Sequence, residues 1–160
     1  VIVCSAMRTE DLCELLAQNE ERLSELYGIY AVKFPEYKDL WNGLAGEEEQ
    51  HAKWIRNLAS WAKEGLIDIN NSRFNIAAIN TFTSYVDKEI ARARNSLVSL
   101  INALSIASYI EDSIIENRFF EVFEGDSPDW RSTLLDLATE TNKHRSMIKE
   151  ALKKAKASEL

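Results

Sequence analysis

The segment LAGEEEQHAKWI, residues 44–55, is the most informative part of the sequence, because it combines a helical pattern with two polar residues on its apolar face. Leu44, Glu48, His51 and Ile55 follow at intervals of four, three and four residues, the spacing of one inward-facing side of an α-helix. Glu48 and His51 therefore point the same way. A buried, unpaired carboxylate is strongly unfavourable, so this pattern calls for a compensating cation, and a metal ion is the simplest one.

The same pattern extends in both directions and predicts four long helices in two pairs. The predicted helices run from Thr9 to Phe34, from Pro35 to Glu64, from Ser96 to Glu124 and, after an N-cap at Ser127, from Pro128 to Lys156. Gly65 is expected to cap the second helix. Residues 66–95 form a long connection, in which weaker periodicity over 76–94 indicates a short crossover helix. Short turns make antiparallel neighbours, and one long crossover is typical of a ferritin-like four-helix bundle. We therefore expect an all-α fold in a single domain, residues 1–160.

Each predicted helix places polar residues near the middle of its core-facing side. These core-facing polar residues are Glu20 in the first helix, Glu48 and His51 in the second, Ser108, Glu111 and Arg118 in the third, and Thr141 and His144 in the fourth. In the third helix this side begins at Leu97, and Asp112 and Glu116 compete with Glu111 for the inward position. The sequence thus predicts metal ligands at one level of the bundle.

Composition excludes several other classes. The 160 residues include 26 acidic and 19 basic side chains, a net charge of −7, which disfavours binding to nucleic acid or to an anionic membrane. Only 5 glycines and 2 prolines disfavour a turn-rich β-fold. No apolar run is long enough to span a membrane. The two cysteines, Cys4 and Cys13, form no CxxC pair and are compatible with a reducing cytoplasm, where we expect the protein.

Three motifs carry a resemblance to a known family. They are Leu26-Tyr27-x-x-Tyr30-Ala31 with Phe34-Pro35-Glu36-Tyr37, then Glu47-Glu48-x-x-His51-Ala52, and then Ile110-Glu111-x-Ser113-Ile114-Ile115-Glu116-x-x-Phe119-Phe120. Over about residues 9–155 the chain resembles the rubrerythrin-like branch of the ferritin-like superfamily. The resemblance implies a di-iron centre that handles peroxide, dioxygen or ferrous iron. The sequence contains no rubredoxin module, so the resemblance implies an external electron donor for any redox cycle.

The resemblance also implies a role for each candidate ligand. Glu20 and Glu111 would be terminal ligands, Glu48 a bridging ligand, and His51 and His144 would each bind one metal. The second bridging carboxylate would fall at Thr141, where this sequence departs from the family. Glu140, on an adjacent face, is the candidate substitute. Iron is the expected metal, as one or two ions, although manganese and zinc suit the same ligands.

The residues of the predicted site are also compatible with two other functions. One is a module that binds, stores or senses a single metal ion without turnover, which Thr141 favours. The other is a metal-free helical bundle with a structural role.

Several other residues have simpler expected roles. Glu47 and Glu49 are read as solvated charges, and Tyr27 and Tyr30 as core residues bonded to buried carboxylates, with a redox role as the alternative. Cys13 should be buried and inert. Trp54 and Trp61 suggest a homodimer face.

Overall fold

The computed structural model describes residues 8–66, 68–69, 75–113, 123–124 and 128–158. Within these residues the chain forms five α-helices: α1 (Thr9–Lys33), α2 (Lys38–Lys63), α3 (Ile76–Asn95), α4 (Leu100–Glu111) and α5 (Pro128–Ser158). Two short strands, β1 (Asp68–Ile69) and β2 (Phe123–Glu124), pair antiparallel. The prediction of an all-α protein is confirmed.

Helices α1 and α2 form an antiparallel hairpin, as the sequence predicts. A single 3-10 turn, Pro35–Tyr37, joins them, because proline cannot continue α1 but can begin the next helical segment. Arg56 near the end of α2 pairs with Glu14 near the start of α1, at 2.9 Å. Gly65 ends α2 at φ +72°, a left-handed conformation that favours glycine.

The predicted third helix, Ser96 to Glu124, is wrong at both ends. Helix α4 begins at Leu100, because the Ser99 hydroxyl accepts a hydrogen bond from the Asn102 amide at 3.2 Å and caps the helix. It ends at Glu111, after which the Asp112 carboxylate pairs with two cationic side chains of α5, Arg145 and Lys149. Residues 114–122, which the prediction also placed in this helix, lie outside the described residues.

Two further consequences follow from the shorter α4. Leu97, predicted as a core-facing residue, precedes the helix and is fully exposed. Phe123–Glu124 at the predicted helix end are β2.

The crossover helix, predicted over residues 76–94, is confirmed within one residue, although it is a long helix and not a short one. Helix α3 has 20 residues, and its buried side chains follow at intervals of three and four from Ile79 to Ala93. It packs beside α1 in the same direction, since Asn19 and Glu25 of α1 bond Thr83 and Arg94 of α3 in that order.

Buried apolar side chains form two clusters separated along the helices by a polar layer. One cluster contains Tyr27, Trp41 and Leu104, and the other contains Leu12 and Ile55. The polar layer comprises Glu20, Glu48, His51, Glu111, Thr141 and His144. Thr141 and His144 of α5 are buried as predicted, and the apolar residues three or four positions apart on the same side are buried with them: Leu134, Leu137, Ile148 and Ala151.

Three smaller expectations concern the surface and the thiol. Cys13 is buried as predicted, and burial raises the pKa of its thiol to about 12. Trp54 and Trp61 are partly buried against the cluster that contains Ile55, so the homodimer face stays a prediction. Among the helices described, none combines the length and the apolar content needed to cross a membrane.

Candidate metal centre

Three side chains from two helices converge in the polar layer. Helix α2 supplies Glu48 and His51 from one face, and α5 supplies His144. One potential ligand atom from each lies within 4.8 Å of the other two. None of the three side chains is more than 3 % exposed, so water is largely excluded from this cluster.

Glu48 lies between the two imidazoles. Its Oε2 is 2.8 Å from Nδ1 of His51, and its Oε1 is 3.1 Å from Nδ1 of His144. The two rings stack with their centroids 5.3 Å apart. The Nδ1 atoms of both histidines therefore face the same carboxylate, which is the arrangement that the Glu-x-x-His spacing predicts for α2.

The second nitrogen of each imidazole ring, Nε2, contacts a different carboxylate. Nε2 of His51 is 3.1 Å from Glu140 Oε2, and Nε2 of His144 is 2.5 Å from Glu47 Oε2. Both carboxylates are 31 % exposed, at the rim of the layer. Such partners fix the orientation of a metal-binding histidine and leave its other nitrogen for the ion.

Glu47 is the residue that sequence reasoning missed, since it was read as a solvated charge. Besides His144 it contacts Lys143, with Nζ 2.7 Å away. The sequence does contain a signal for this role, because Glu47 lies four residues before His51 as Glu140 lies four residues before His144. Glu140, predicted as a ligand, lies against His51 in the structure, where it can orient that ring.

Glu20 and Glu111 complete the layer from α1 and α4. Glu111 is fully buried, its Oε1 accepts a hydrogen bond from the Tyr27 hydroxyl at 2.8 Å, and the same oxygen lies 3.9 Å from Nδ1 of His144. Burial, followed by the neighbouring Glu48 and Glu111, raises the pKa of Glu20 well above its usual range. Both predicted terminal ligands thus lie beside the cluster.

Burial and pairing act in opposite directions on the central groups. Burial raises the pKa of Glu48, but hydrogen bonds from His144 and His51 outweigh it and hold the value at about 2. Burial lowers the pKa of His144, yet the Glu48, Glu111 and Glu47 carboxylates raise it to about 9. In the chain alone, protons on the imidazoles supply the positive charge that the carboxylates require.

The residues present fit a metal ion. Glu48 Oε1, His144 Nδ1 and Glu20 Oε2 are all buried, and the 3.1 Å contact between the first two is an ion pair only when the imidazole is protonated. An ion among them would satisfy atoms that are otherwise costly to bury. Carboxylate oxygen and imidazole nitrogen suit iron, manganese or zinc. Thr141 is buried in the same layer and offers no carboxylate there.

No known protein-family model, curated protein or solved structure matches this chain. The fold and the site by themselves are those of an all-helical protein with a buried Glu/His/His cluster that could bind a metal ion.

Proposed function

We propose that this protein is a rubrerythrin-like metalloprotein that binds iron in the polar layer and reacts with peroxide or dioxygen. The observation that carries the proposal is the buried cluster of Glu48, His51 and His144, whose ligand atoms lie within 4.8 Å of one another. Bound iron would supply one-electron chemistry toward O–O bonds. The protein would supply the ligands, orient both imidazoles through Glu47 and Glu140, and exclude water with the apolar clusters on either side.

Contacts between helices support a ferritin-like arrangement of α1, α2, α4 and α5. Tyr27 of α1 contacts the end of α4 at Glu111, whereas Lys33 further along α1 contacts Ser96 before α4 begins, so the two helices run in opposite directions. Glu47 and His51 of α2 contact Lys143 and Glu140 of α5 in reversed order, so this pair is also antiparallel. Helix α3 lies in the crossover between the two helical pairs.

A second candidate function is binding of a single metal ion without turnover. Buried Thr141 favours it, because threonine cannot bridge two metals where the symmetrical position in α2 carries Glu48. Glu48, His51 and His144 alone give three protein ligands, which is sufficient for one ion with an open coordination position.

The test compares Glu48→Gln with Glu49→Gln. Glu49 is the exposed neighbour of Glu48, so the same change there leaves the polar layer intact. We expect Glu48→Gln to weaken metal binding by more than about 100-fold, or about 2.7 kcal/mol, and Glu49→Gln to leave it unchanged. Calorimetry gives the affinity, and elemental analysis of protein from iron-rich medium gives the metal per chain.

The stoichiometry separates the candidates. Near two irons per chain, with peroxide consumed when an external reductant is supplied, supports the rubrerythrin-like function. About one ion without turnover supports the second candidate. No iron, manganese or zinc in a chain of normal thermal stability contradicts both and leaves a metal-free bundle.

A further inference from the structure

Three aromatic side chains lie together beside the candidate centre. Tyr27, Tyr30 and Trp41 are each fully buried. The Trp41 ring centroid is 5.7 Å from that of Tyr27 and 5.0 Å from that of Tyr30. The two tyrosines thus contact the same indole from neighbouring turns of α1, and burial and aromatic contact do not distinguish them.

Their hydroxyl groups differ in what they contact. The Tyr27 hydroxyl donates to Oε1 of Glu111, which in turn lies near His144. The Tyr30 hydroxyl is buried and has no hydrogen-bond partner among the residues that the structure describes. Burial, with Glu89 and Tyr85 nearby, raises the pKa of Tyr30, so its proton is held more firmly than that of an exposed tyrosine. Of these two tyrosines, only Tyr27 has a carboxylate within hydrogen-bond distance of its hydroxyl among the described residues.

This difference matters for oxidation, because a phenol that loses an electron becomes a strong acid and must release its proton to a nearby base. A positioned carboxylate within hydrogen-bond distance can take that proton during the transfer. The distance of 2.8 Å between the Tyr27 hydroxyl oxygen and Glu111 Oε1 meets this requirement. Glu111 also connects the tyrosine to the polar layer, because its Oε1 lies 3.9 Å from Nδ1 of His144.

We propose that Tyr27 is a redox-active residue that gives one electron and its phenolic proton to a peroxide reduced at the metal centre. The inference rests on the proposed function. Reducing one hydrogen peroxide to two waters takes two electrons and two protons. With one ferrous ion bound per chain, Tyr27 would provide one electron and, through Glu111, one proton, while the ferrous ion would provide the second electron and solvent the second proton. Two electrons from an external donor, one for the tyrosyl radical and one for the ferric ion, together with one solvent proton would then restore the starting state.

The experiment loads the full chain with one equivalent of ferrous iron without oxygen, confirms the iron content, and adds one equivalent of hydrogen peroxide per iron before rapid freezing. Electron paramagnetic resonance then detects any tyrosyl radical, and ring-deuterated tyrosine identifies the signal by its narrowed hyperfine structure. Tyr30→Phe is the matched control for Tyr27→Phe. We expect wild type and Tyr30→Phe to give the tyrosyl signal and Tyr27→Phe to lose at least about nine-tenths of it, a tenfold change.

The possible outcomes separate the two hypotheses. A chain that takes up no iron contradicts the proposed function, and the inference falls with it. Iron uptake and peroxide loss with no tyrosyl signal, or with a signal that survives in Tyr27→Phe, overturns the inference alone. If Tyr27→Phe does not fold, phenylalanine variants of the other four tyrosines replace it: a signal that survives in all four supports Tyr27, and loss in any one overturns the assignment.

Discussion

At the scale of single residues, Glu48 governs the electrostatics of the polar layer. It contacts both imidazoles, and this pairing keeps the pKa of its carboxyl at about 2 although burial alone would raise it. Glu20 shows the opposite outcome, because burial and two neighbouring carboxylates raise the pKa of its carboxyl. The pKa values of two chemically identical side chains in one layer are thus shifted in opposite directions, because Glu48 is paired with the histidines and Glu20 lies beside other carboxylates.

Thr141 is the residue at which the two halves of the layer differ. It lies three residues before His144, as Glu48 lies three before His51, and it is buried. We expect Thr141→Glu to add a ligand and to raise the metal content per chain or tighten binding of a second ion by about tenfold or more. Without metal the variant should be less stable by about 1–3 kcal/mol, since it buries another polar group.

Thr141→Gln is the control for this substitution, because it adds nearly the same volume without the carboxylate. Elemental analysis and calorimetry measure stoichiometry and affinity, and thermal unfolding measures stability. Equal metal binding by Thr141→Glu, Thr141→Gln and wild type would show that position 141 does not face the ion.

At the scale of elements, the end of α4 determines the position of Glu111 in the polar layer. This helix has only 12 residues and Glu111 is the last of them. Ser99 caps one end, and Asp112 is held at the other by Arg145 and Lys149 of α5. Short helices are marginal alone, so these end contacts and the packing of the buried face keep α4 in register.

Ser99→Ala tests this interpretation of the start of α4. Removing the hydroxyl that accepts from the Asn102 amide should cost about 1 kcal/mol. For a chain of this size that loss lowers the unfolding temperature by about 2–4 °C. Ser96→Ala is the control, because Ser96 is where the sequence alone places the helix start and the residue is exposed. A larger effect at Ser96 than at Ser99 would contradict the observed boundary.

At the scale of the whole molecule, the polar layer interrupts what would otherwise be one continuous apolar core. Burying several carboxylates between two apolar clusters costs stability, which a metal-free chain offsets in part by pairing Glu48 with protonated histidines and Glu111 with the Tyr27 hydroxyl. A bound ion would bring the positive charge directly and satisfy the unpaired atoms. Folding and metal binding should therefore be coupled.

The coupling predicts a large effect of metal on thermal unfolding. With free metal about 100-fold above its dissociation constant, the folded state should gain about 2.7 kcal/mol. That gain corresponds to a rise of about 5–10 °C in the unfolding temperature. Calorimetry of wild type with and without metal measures it, and a chelator should reverse it. The same rise in Glu48→Gln would mean that metal binds elsewhere on the chain.

The sequence alone determined the parts of this protein that depend on local periodicity. Apolar residues at intervals of three and four fix which side of α1, α2 and α5 is buried, because a helix repeats every 3.6 residues whatever lies around it. Glu48, His51, Thr141 and His144 could be placed in one layer on that basis. Pro35 and Gly65 marked helix ends because their backbone restrictions are intrinsic.

The ends of α4 and the partners of the histidines, in contrast, depend on the tertiary structure. Ser96 and Ser99 are equally good caps in the sequence, and α4 ends where cations of α5 hold Asp112. Glu47 and Glu140 contact rings on the facing helix, 97 and 89 residues away along the chain. Such choices depend on charges brought together by packing, and a one-dimensional pattern carries no information about which distant charges will meet.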